Sequence, residues 1–159
     1  MFKNRCSRWL AYERYCARAV VEALRSVPEA RRREPPYQRA VTLLGHLAAA
    51  LEVWLARVEN RQAAVELFPA DLSLEEAGHR IGQVLDRWEG YLAQLNPEDL
   101  GRTVRYQTTS GVWYNNTLEE IITHLFGHGA YHRGQIALLV RQLGGEPAVT
   151  DFIGWARSY

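Results

Sequence analysis

The sequence predicts an all-α protein, a four-helix bundle with a short hairpin-like segment before the last long helix. Four long segments carry apolar residues at three- and four-residue intervals, the period of a helix buried on one side. Two of them open on a Ser/Thr-x-x-Glu capping box, and proline or paired glycine separates or ends them. The 159 residues suit one domain over residues 1–159, and 47% hydrophobic with 23% charged residues is the balance of a soluble chain able to bury a core.

The first helix is expected over about residues 3–26, where Trp9, Leu10, Tyr12, Ala17, Val20, Val21 and Leu24 are interleaved with Arg and Glu. Pro28 and Pro35-Pro36 mark a connector, because proline lacks a donor and disfavours helix in the residue before it. Arg31-Arg32-Arg33 lies inside this connector between Glu29 and Glu34 and reads as solvated. The second helix follows over about residues 37–58, with Leu44, Leu47, Leu51, Trp54, Leu55 and Val58 as its apolar stripe.

Residues 68–72 form a loop. Ser73-Leu-Glu-Glu76 then opens a third helix that runs to about residue 95, buried through Ala77, Ile81, Val84, Leu85, Trp88 and Leu92 and stopped by Asn96-Pro97. Residues 103–107 and 112–114 flank a Thr-Thr-Ser-Gly turn and predict a short hairpin. Thr117-Leu-Glu-Glu120 opens the fourth helix, which reaches about residue 143 and is closed by Gly144-Gly145. The tail from Thr150 reads as a further short helix packing its Phe and Trp.

A net charge of +1 gives no electrostatic basis for binding nucleic acid or an anionic membrane. With no leader pattern and no apolar run of about 18 residues, the expected location is the cytoplasm. Cys6 and Cys16 fall about 15 Å apart along one helix, beyond disulfide reach, and are expected as free thiols. Five tryptophans and eight tyrosines, with Trp9 and Tyr12 on a helix face, allow a homodimer through helix packing.

The chemistry concentrates in the fourth helix. His124-Leu-Phe-Gly-His128-Gly-Ala-Tyr-His132-Arg-Gly-Gln holds three of the five histidines at spacings of four and eight. Residues four apart are neighbours on a helix surface, so these imidazoles can converge on a divalent metal such as Zn, Ni, Cu or Fe. At about 100° per residue, His132 lies within about 20° of the middle of the stripe formed by Ile121, Leu125, Ile136, Leu139 and Leu143; His128 is roughly 60° and His124 roughly 100° from it. Gln135 projects beside His128 and is expected to support it. Gly127, Gly129 and Gly134 each cost about 1 kcal/mol against Ala in a helix, which is tolerable where something approaches closely. Zinc takes three or four protein ligands, so a further one is needed. Spacing leaves His46, His79 and His124, with any Asp or Glu, as candidates. His46 projects well off the centre of its own apolar stripe, so periodicity does not select it.

Leu44-Gly-His46 with Trp54-Leu55, the segment over residues 104–111, and above all His128-Gly-Ala-Tyr-His132-Arg-Gly-Gln-Ile136 with Leu143-Gly144 and Thr150-Asp-Phe-Ile153 resemble the DinB/YfiT-like family of metalloenzymes. The likeness runs from about residue 37 to the C-terminus. It implies an up-down-down-up bundle whose divalent metal (Zn, Ni or Fe) is held by His46, His128 and His132. His124 matches a position where the family often has histidine without using it as a primary ligand. The resemblance also implies thiol-dependent transferase or hydrolase chemistry on a small-molecule substrate, a low-molecular-weight thiol.

Three neutral imidazoles leave an ion with open positions, able to polarise a substrate oxygen or to acidify a bound water or thiol. No general base stands out: Glu52, Tyr131 and Arg133 are near in sequence but read as surface, packing or ion-pair residues. Two other classes compete. One is a non-catalytic, stress-associated bundle that binds metal or a partner, and the other is a metal-free bundle with packed, pH-responsive histidines.

Overall fold

The structure, a computed structural model, describes residues 2–158. Its helices are α1 (Phe2–Arg25), α2 (Pro35–Val58), α3 (Leu74–Ala93), α4 (Leu118–Gln142) and the short α5 (Phe152–Ala156). An antiparallel pair, β1 (Thr103–Gln107) and β2 (Trp113–Thr117), precedes α4, with Thr103 opposite Thr117 and Gln107 opposite Trp113.

Paired contacts give the helix directions. Trp9, early in α1, packs edge-on against Trp88, late in α3, while Val21 lies against Gly78, so α1 and α3 run antiparallel. The indole N–H of Trp88 donates to the Leu51 carbonyl at 3.0 Å, and Gly45 meets Leu72 just before α3, so α2 and α3 run parallel. His46 meets His132 and Trp54 meets His124, which makes α4 antiparallel to α2. Arg5 pairs with Glu119 and Glu13 with Arg133, which makes it parallel to α1. The result is an up-down-down-up bundle.

Both capping boxes form. Ser73 Oγ accepts from the Glu76 amide at 3.2 Å while Glu76 accepts from the Ser73 amide at 2.8 Å, and Thr117 and Glu120 repeat the pattern. Each satisfies amide groups that a helix start leaves unpaired. α2 begins at Pro35, earlier than expected, because proline at the first helical positions has no amide to leave unpaired. β2 continues to Thr117, beyond the expected residue 114, carried by pairing with β1.

The arginine run is more than a solvated connector. Arg32 donates to the Val27 and Arg25 carbonyls at the end of α1. Arg31 pairs with Glu34 and donates to the Gln142 carbonyl at the end of α4. Both guanidiniums thus satisfy carbonyls left unpaired at helix C-termini.

α2 is the central helix and is buried without a break from Leu43 to Leu51. Among the described residues it is the one helix long and apolar enough to cross a membrane, a run the sequence reading did not register; 72% of that stretch is buried by its neighbours, as in a core helix. Trp9 and Tyr12 are buried in the chain's own core, so neither is available to pack against a second copy. Cys6 and Cys16 are buried free thiols, and burial pushes the Cys16 thiol up to about 11.

Candidate metal centre

α2 supplies His46, and α4 supplies His128 and His132 one turn apart. One ring nitrogen from each lies within 4.8 Å of the other two, a group that could hold a metal ion. His46 Nε2 and His128 Nε2 are 3.2 Å apart.

Two of the three rings are oriented through their other nitrogen. His46 Nδ1–H donates to the Leu67 carbonyl at 2.7 Å, and His132 Nδ1–H donates to Gln135 Oε1 at 2.9 Å. A carbonyl only accepts, so each bond places the proton on Nδ1 and leaves Nε2 with its lone pair. This is the usual support of a metal-bound histidine. Nitrogens about 2.0–2.1 Å from a tetrahedral ion lie about 3.3 Å from each other, so the observed separation fits one.

The Leu67 carbonyl reaches His46 because the segment over residues 59–73 folds back onto α2 at Gly45. A Cβ there would sit 2.9 Å from both Leu72 Cδ1 and Pro69 Cγ. The same loop stacks the Phe68 ring on His46, with centroids 4.0 Å apart and planes inclined by 3°. Tyr131, largely exposed, lies edge-on to His132.

Burial, followed by the neighbouring imidazoles, pushes His128 down to about 4. Burial also lowers His46 and His124. His46 and His128 are therefore neutral at pH 7, the form that binds metal.

Behind the histidines, Arg133 turns away from them and forms a buried ion pair with Glu13 of α1 at 2.8 Å. Tyr12 accepts a second bond from the same guanidinium at 3.3 Å. A Cβ at Gly129 would lie 2.7 Å from Arg133 Nη1 and 3.4 Å from Glu13 Oε2, which explains that glycine. Gly127 and Gly134 have nothing within 4 Å of such an atom, so close approach does not explain them.

The remaining candidates fall elsewhere. His124 is exposed and packs edge-on against Trp54. His79 lines a separate groove between α1 and α3. Glu52 pairs with Arg87. Gln135 supports His132, not His128: the projection ignores rise along the axis, and seven residues climb about 10 Å whereas three climb about 4.5 Å. His132 is half-buried, and the deepest side chains of α4 are Leu118, Ile121, Leu125, Ile136 and Val140 with Arg133. Sequence reasoning missed Glu13, Leu67 and Phe68. A backbone carbonyl acting as acceptor leaves no sequence signal, and Glu13 is one of many helix-surface acids by pattern.

Comparison with known proteins identifies the family. The family model described as "DinB family" matches residues 2–158. The protein named "Protein DinB" of Bacillus subtilis (strain 168) is 32% identical over 79 residues. That stretch is 50% of this chain and 45% of that protein, so the alignment spans about half of the relative's length. The chain belongs to the DinB family.

Proposed function

We propose that this chain is a metal-dependent enzyme in which His46, His128 and His132 hold a divalent ion, Zn, Ni or Fe, and act on a low-molecular-weight thiol. The observation that carries this reading is the facing pair of Nε2 atoms, 3.2 Å apart, with the opposite nitrogen of His46 committed to a carbonyl.

The donor set supports the thiol. The group contains three imidazoles and no carboxylate, so the protein does not neutralise the charge of an ion there, and an anionic ligand is favoured in an open position. An ion bound there would acidify a thiol or water at that position. A thiol, at about 8.5, needs far less help to ionise than water at 15.7. With no carboxylate in the group to take a proton from water, thiol transfer is favoured over hydrolysis. The chain's own part is to hold the imidazoles neutral and oriented, while Phe68 and Tyr131 cover the flanks of His46 and His132.

The test uses protein loaded with cobalt(II). Glutathione, bacillithiol and mycothiol are added in turn, first alone and then with an alkyl or aryl halide. The reading requires a sulfur-to-cobalt charge-transfer band and metal-dependent consumption of one thiol. A metal that binds tightly while no thiol alters its spectrum or is consumed would leave the non-catalytic metal-binding bundle in its place.

A further inference from the structure

A cavity of about 470 Å³ lies between the C-terminal half of α2, the loop after it and the hairpin. Its volume is within the range of small-ligand sites. Arg57, Arg61 and Arg105 line it with Tyr106, Gln107 and Trp113, and no carboxylate does.

Two of these guanidiniums lack an anionic partner among the described residues. Arg57 is half-buried and lies against the rings of Trp54 and Tyr106, at 4.5 and 4.8 Å from their centroids. Its single hydrogen bond goes to the Gln107 carbonyl at 3.2 Å, which leaves most of its five donors unused. Arg105 lies over Trp113 at 4.6 Å and forms no ion pair. Arg61 differs, since Glu59 already pairs with it. The C-terminus of α2 contributes only about half a negative charge nearby, well short of the two unpaired guanidiniums.

One residue of the cavity wall also supports the metal centre. Leu67 lines the cavity, and the carbonyl of the same residue holds His46. Trp54, on which Arg57 stacks, packs against His124 at 5.3 Å, and His124 packs against His128 at 5.5 Å.

We propose that this cavity binds a small carboxylate, with Arg57 and Arg105 as its recognition residues. A guanidinium held against two rings still offers an edge of parallel donors, which matches a planar carboxylate in two-point contact.

Two titrations test it. In metal-free protein, succinate and inorganic phosphate are each followed by NMR of the arginine Nε–H groups. Saturable shifts of Arg57 and Arg105 with succinate, abolished in Arg57→Met and Arg105→Met, are expected. No saturation, or tighter saturation by phosphate, overturns the carboxylate assignment.

Discussion

His46 Nε2 and His128 Nε2 face each other across 3.2 Å although 82 positions separate them in the chain. With the proton of His46 held on Nδ1 by Leu67, its Nε2 offers a lone pair toward its partner. The arrangement predicts unequal histidines. His46→Ala and His128→Ala should lower metal affinity by more than the 10–100-fold that loss of a supporting contact costs, while His124→Ala and His79→Ala should leave it unchanged. Competition with a chromophoric chelator measures all four.

Gln135 holds His132 from behind at 2.9 Å. Gln135→Leu should weaken metal binding about 10–100-fold with little change in the stability of the metal-free protein. Unchanged affinity in this variant would show that the ring needs no such support.

The Glu13–Arg133 pair locks the metal-bearing part of α4 to α1. Removing one partner of a buried pair leaves an uncompensated charge, so Glu13→Ala should cost about 3–5 kcal/mol in urea denaturation. Gly129→Ala should also destabilise, because Glu13 restrains the guanidinium that would have to yield.

Acid should loosen the metal-free fold through His128. Its folded value is about 4 against 6.5 unperturbed, so between these pH values the unfolded chain binds more protons. Stability contributed by this group is complete above about 6.5 and falls as the pH drops toward 4. Melting of metal-free wild type and His128→Asn at pH 7 and pH 5 checks this. The wild type should lose more on acidification, and equal losses would contradict it.

Much of the bundle could be read from local pattern, and the reasons are specific. The capping boxes at Ser73 and Thr117 are local chemistry, so they placed two helix starts to within a residue. Pro35-Pro36 misled because proline at a helix start and proline in a connector look alike in sequence. His46 escaped periodicity because α2 is buried nearly all round, leaving no single stripe to measure from; resemblance pointed to it, and folding brings it to His128 and His132. Arg133 sits deeper than the α4 projection indicates, since its stripe was drawn from apolar residues alone and a paired charge can occupy the core.

The central claim is that these three imidazoles hold a metal. Elemental analysis of protein purified without a histidine tag tests it most directly, alongside thermal melting with and without a chelator. Close to one divalent ion per chain is expected, lost in His128→Ala, with a melting temperature that falls on chelation. Wild-type protein that carries no metal, takes up none when it is offered and melts at the same temperature in chelator would contradict it.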